Sequence, residues 1–363
     1  MLSSATDPSV LRQVKPHDPR QLPEQYDLQH AVAFYLQDEL ASLVSELERS
    51  GAFSVTLDLT EEDARDMELL RGEDLWKWLG ETGRSDLRED LTYRQVAAAV
   101  IADAAHFICE SLLASGKGKM TVAYSLLRKP FKESLLLLEW LCGDPADFLE
   151  RFAGESVDGY VLNRLSVDDR RRVMTLAAEQ IDLPGFSDEL LWVVRYAKEY
   201  PNSLETMWTK ATHLVTTVKA SGTEPGNLNF VFSSESAIEE QWQHYYSIVP
   251  FLLYYFLAVA EAVVSRFVEW DEDARSTKML LRHLAFLRWA ESTSGSEELR
   301  RSAAETFNEL AEISFSCSRC GAAVTASGTE LDRFWLRAEM RCPRCARAYD
   351  LWEVLAQERE ADA

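Results

Sequence analysis

Cys317 and Cys320, followed by Cys342 and Cys345, set two Cys-x-x-Cys pairs near the C-terminal end of the sequence. A thiol pair two residues apart occupies one tight turn. Two such turns brought together present four thiolates, the donor set of a tetrahedral zinc site. Gly321 directly follows the first pair, where a knuckle wants a residue tolerant of positive φ, and Pro343 stiffens the second. Four thiolates fill the coordination sphere and leave no position for water or substrate, so the expected role of Zn²⁺ is structural. The competing readings are four reduced, unligated thiols or, for an exported protein, two disulfides. No histidine lies in the segment to replace a cysteine; the nearest upstream is His283.

Other residues could carry chemistry in the rest of the chain. Gly116-Lys117-Gly118-Lys119 lacks the spacing of a Walker A loop, and Met120 stands where Ser or Thr would bind Mg²⁺. Its glycines permit a tight turn into a helix beginning near Thr121, whose first amides could receive an anion. Lys117 and Lys119, with Arg128, Lys129 and Lys132, form the most basic stretch of the chain. The plainer reading is a solvated turn with pairing such as Lys129 to Glu133 at i,i+4. Asp103, His106 and Glu110 share one helix face. A di-iron bundle needs Glu-x-x-His on two helices, whereas Asp103-x-x-His106 occurs once, with Glu133, Glu139 and Glu261 as lone carboxylates. A carboxylate that fixes the His106 tautomer is the simpler account. Glu261 interrupts the apolar run Leu257–Val264. An unpaired carboxylate there would be driven up in pKa or cost several kcal/mol. Arg128, itself in an apolar run, is its expected partner. His106, Arg128 and Glu133 are the catalytic candidates should the helical region hold an active site. No nucleophile elbow, HExxH or acidic metal loop is present.

The cysteine-rich segment is locally basic, with Arg319, Arg333, Arg337, Arg341, Arg344 and Arg347 among Phe334, Trp335 and Tyr349. Such residues could contact single-stranded nucleic acid by charge and stacking, dock a protein, or pack the small module onto the helices. The last is preferred, because so short a ribbon needs a surface to lean on. The whole chain carries 60 acidic against 38 basic residues, a net charge of −22. It therefore repels phosphate backbones at long range, and nucleic acid is expected only at local basic patches. Cys109 and Cys142 sit in apolar helical stretches as core filling. Free thiols and an N-terminus without an apolar h-region fit the cytoplasm.

Helical spacing of apolar residues places these groups. The pattern runs from Glu24 to Glu48, over Leu91–Ala114, and over Thr121–Leu141, where Pro130 predicts a kink or restart. Shorter helices follow near 145–153, 157–163, 167–180 and 187–199, with Ser166 and Ser187 as N-caps. Long helices are expected near 236–269, 272–293 and 297–315. Ile248–Val264 is apolar but short for a bilayer and contains Pro250 and Glu261, so it reads as a buried helix rather than a membrane span. The fold class is mainly α: a loose arm over 1–23, a multi-helix bundle body over 24–315 with a short-helix region about 144–200, a small β-rich zinc ribbon over 316–352, and an acidic tail over 353–363. No βαβ rhythm appears.

Thr121–Asp144, TVAYSLLRKPFKESLLLLEWLCGD, resembles a helix of bacterial all-helical proteins related to the HEPN-type families. That resemblance implies a helical, homodimeric protein of a defence system, and for many relatives ribonuclease activity through an Arg-x4–6-His motif. No histidine follows Arg128 at that spacing, and neither Arg282-His283 nor Lys210-x-x-His213 supplies it. The favoured reading is a non-enzymatic interaction or regulatory protein that binds a protein partner or a second copy of itself. The alternative is a HEPN-like ribonuclease or toxin-like RNA-processing enzyme.

Overall fold

The computed structural model describes residues 22–363 except 55–56, 58, 72, 155, 218–221, 232–233, 294–300, 302–311, 338, 351–352 and 354–363. The expected arm and acidic tail fall outside the described residues, save for Leu22, Pro23 and Glu353. The described residues are mainly helical, with four short strands at the C-terminal end. They divide into two compact units. The first is drawn from the described residues within 1–23, 37–242 and 255–269, the second from those within 24–36, 243–254 and 270–363.

The first unit is built on the Ser85–Gly116 helix, whose stripe of Ala97, Ile101, Ala104, Ile108 and Leu112 is fully buried. Local signals set the helix starts. Thr60 and Asp63 form a reciprocal capping box for the Glu61–Leu69 helix. Ser166, Ser187 and Ser203 each accept an amide at the start of the helices Val167–Ile181, Asp188–Tyr196 and Leu204–Thr212. The kink expected at Pro130 is realised as a π-helical stretch, Lys129–Ser134, between the helices Met120–Arg128 and Leu135–Gly143. There Leu135 N donates to Pro130 O, while the carbonyls of Phe131 and Lys132 accept from Arg195 Nε (2.8 Å) and Tyr196 Oη (2.7 Å). Gly143 lets its helix approach Val167–Ile181 closely: a Cβ there would lie 2.7 Å from Leu176 Cβ.

The helices Ser85–Gly116 and Glu235–Val264 are long and apolar enough to cross a membrane, by length and composition alone. In their most apolar windows 44% and 61% of residues are buried inside the protein. Pro250 is accommodated within the second of these helices.

The described residues of the second unit comprise helical pieces and the ribbon. Trp289 Nε1 of the Glu272–Thr293 helix donates to Tyr246 O (2.7 Å), and Gln29 Nε2 donates to Ser292 Oγ (3.2 Å). Tyr26 stacks on Tyr246, and Tyr254 on Phe286. Strand β1 covers Glu312–Ser316 and pairs antiparallel with β2, Ala323–Ser327; β3, Glu339–Arg341, pairs antiparallel with β4, Ala348–Asp350. Helical spacing up to Phe315 is corrected here: Ile313 and Phe315 are the buried positions of an alternating strand. The segment between the cysteine pairs also contains the helix Thr329–Arg337.

Candidate metal centre

Each cysteine pair closes a turn with the same hydrogen-bond pattern. Cys317 N donates to Ala322 O (2.8 Å) and Gly321 N to Cys317 O (2.8 Å); Cys342 N donates to Arg347 O (2.9 Å) and Ala346 N to Cys342 O (2.9 Å). Both turns pass through the left-handed region, with φ of 69° at Gly321 and 55° at Ala346. Glycine adopts that conformation freely, whereas the alanine costs about 1 kcal/mol.

The two turns face one another and gather all four Sγ atoms within 4.8 Å. Cys317 Sγ lies 3.7 Å from Cys345 Sγ, and Cys320 Sγ lies 3.6 Å from Cys342 Sγ. Four thiolates at tetrahedral Zn–S bond lengths stand about 3.8 Å apart, so these residues fit a structural zinc ion. The same separations are far beyond a sulfur–sulfur bond, and all six cysteines are free. Cys317 and Cys342 are buried; Cys320 and Cys345 are half-buried.

Hydrogen-bond donors surround the buried pair. Tyr349 Oη donates to Cys317 Sγ at 3.0 Å and accepts from Ser318 N at 2.9 Å. The hydroxyl, together with the amides of Arg319 and Cys320, holds the Cys317 thiol down at about 6 against the opposing effect of burial. Burial raises Cys342, but the amides of Cys345 and Arg344 outweigh it and leave that thiol below its ordinary value. The aromatics form the floor of the module. Phe334, Trp335 and Tyr349 are buried with Ile313, Phe315 and Val324 in one apolar cluster that includes Leu281, Leu284 and Leu287 of the Glu272–Thr293 helix. They are therefore unavailable as a stacking platform for bases.

The basic candidates remain at the surface. Arg341 pairs with Glu339 (2.6 Å) and Arg347 with Glu353 (3.3 Å), while Arg319 and Arg344 are exposed. The side chains of Arg333 and Arg337 lie outside the described residues.

The candidates in the helical region form no comparable constellation. His106 and Arg128 are exposed and Glu133 is half-buried. Lys117 and Lys119 are exposed on a turn closed by Gly118 N to Ser115 O (2.9 Å) and Lys119 N to Ala114 O (2.9 Å). Lys129 pairs with Asp103 at 2.8 Å instead of with Glu133. Glu261 is half-buried and does not form the expected buried pair with Arg128. Among the described residues Glu139 and Arg195 form a fully buried ion pair, at 2.6 Å. Burial pushes the Glu139 carboxyl up, opposed by the Arg195 guanidinium against it; Arg195 stays protonated because the Glu139 carboxylate offsets its desolvation. Both residues interrupt apolar runs, Leu135–Leu141 and Leu190–Tyr196, and that was the available signal. The Tyr349 hydroxyl gave a fainter one: an aromatic residue shortly after a cysteine pair, on a strand position facing inward.

None of the comparisons supports the HEPN-like resemblance of Thr121–Asp144: no family model matches this chain, nor does any curated protein or solved structure.

Proposed function

We propose that this chain is a non-enzymatic helical protein whose C-terminal zinc ribbon stabilises and presents a docking surface, in an interaction or regulatory role. The observation that supports it is the closed set of four sulfurs, all within 4.8 Å, mounted on an apolar face already committed to a helix. Cys317, Cys320, Cys342 and Cys345 would hold the ion. Its chemistry there is a four-way crosslink between two turns that cannot build a core by themselves. The outward face, with Arg319 and Arg344, is left for a protein partner or a second copy of the chain. The thiol-rich site fits the cytoplasm, and a place in bacterial defence rests on the HEPN-like resemblance alone.

Metal analysis of protein purified under reducing, metal-replete conditions is expected to give about one zinc per chain. A value near zero overturns the reading. A pull-down is expected to recover a stable complex, and its partner should be lost when Arg319 and Arg344 are replaced by Glu. The second reading, an RNA-processing enzyme, draws on the Lys129–Asp103 bridge, which joins the residue after Arg128 to the helix that carries His106; Arg128 and His106 are both exposed. RNA cleavage abolished by Arg128→Ala and His106→Ala, with the fold intact, would replace the first reading by the second.

A further inference from the structure

The two turns of the metal centre repeat each other in backbone but not in what braces them. In the first turn, Ser318 N donates to Tyr349 Oη (2.9 Å), Ser318 Oγ lies 3.2 Å from that oxygen, and the same hydroxyl donates to Cys317 Sγ (3.0 Å). Tyr349 comes from β4, the strand that follows the second turn, and its ring packs edge-on against Phe315 at 4.8 Å, just before the first turn. The Arg347 guanidinium lies 5.0 Å over the ring, which is itself 1% exposed. The hydroxyl is thus fixed from several sides. The position equivalent to Ser318 in the second turn is Pro343, which has no N–H to offer. Cys342 Sγ is served by the amides of Arg344 and Cys345.

We propose that Tyr349 is the positioning residue of the zinc site and makes the first cysteine pair its anchored half, so that metal leaves and enters through Cys342 and Cys345. This rests on the zinc reading above and deepens it. A donor aimed at a ligand sulfur takes up part of the negative charge of the four-thiolate complex. It would also hold the Cys317 sulfur in one orientation, so that a metal bound there would be slow to leave that ligand. Among the described residues the second turn has no such brace; Cys320 and Cys345 are both half-buried, so the difference between the pairs lies in the hydroxyl on Cys317 and not in exposure.

The test uses the full chain and its Tyr349→Phe variant, which keeps the ring against Phe315 and removes only the hydroxyl. Chelator-driven zinc release should be about tenfold or more faster in the variant, the usual scale for loss of an outer-sphere partner. In the cobalt-substituted protein the sulfur-to-metal charge-transfer band should shift, a change that a loss of packing would not produce. Alkylation of thiols during release, read by mass spectrometry, should label Cys342 and Cys345 before Cys317 and Cys320 in the wild type, with that order lost in the variant. Equal release rates and an unshifted band, or labelling that starts at Cys317, would overturn the proposal. A wild-type chain that binds no metal would instead overturn the zinc reading itself.

Discussion

The four cysteines and the Glu139–Arg195 ion pair are assembled over different reaches of the chain. The four cysteines announce themselves because ligand spacing is local: two thiols on one turn must be two residues apart wherever the chain goes. A buried ion pair is a long-range property. Glu261 and Glu139 both interrupt apolar helical sequence, yet only Glu139 turns fully inward, because Arg195 arrives there from a helix 56 positions away. Nothing near either residue in sequence specifies that meeting. The pair has a measurable consequence. Arg195 donates to Glu139 Oε1, Phe131 O and Tyr196 Oη, so Arg195→Met leaves a buried carboxylate without its counter-charge. The expected loss is about 3–5 kcal/mol in denaturant unfolding, and Glu139→Leu introduced with it should recover most of that loss, since an apolar pair replaces a buried ion pair at little cost. A single variant as stable as the wild type would show that the pair contributes nothing.

At the scale of elements, helices with polar caps were legible almost to the residue. Ser166 and Ser187 compete for backbone amides within their own turn, so position and partner are encoded together. The π-helical stretch was legible only as a break at Pro130, because its width depends on the Arg195 and Tyr196 side chains that hold its carbonyls. The strand Glu312–Ser316 was misread as helix end for the opposite reason: five residues are too few for either period to assert itself. The first helical segment carries a pH-dependent contact. Tyr246 Oη lies 2.6 Å from His30 Nδ1, and burial lowers this histidine from 6.5 to about 4. The unfolded chain takes up a proton that the folded chain refuses, so the contribution is present above pH 6.5 and is lost as pH falls towards 4. It amounts to roughly 3 kcal/mol across that window. His30→Gln should flatten the acid limb of the stability curve between those values. An acid limb identical to that of the wild type would assign the sensitivity elsewhere.

At the scale of the whole molecule, the mainly helical class followed from the dominance of helical periodicity and the lack of a βαβ rhythm. The partition into units did not follow, because the second unit is assembled from separate stretches of sequence. Chelating the metal should therefore melt the ribbon and expose the face formed by Leu281, Leu284 and Leu287, while most of the far-ultraviolet helical signal persists from the first unit. Loss of the entire signal on chelation would mean that the metal supports both units. The scattered assembly of the second unit also has a bearing on synthesis. Gln29 must wait for Ser292, 263 residues later, before it can make its hydrogen bond. At ribosomal speeds that interval is on the order of 13–50 seconds. During it the Asp27–Arg49 helix, with Val32 and Leu36 among its buried residues, has no finished second unit to enter. A nascent chain of this protein is accordingly a client for whatever shields apolar helices at the ribosome exit, until its final strands and their metal arrive.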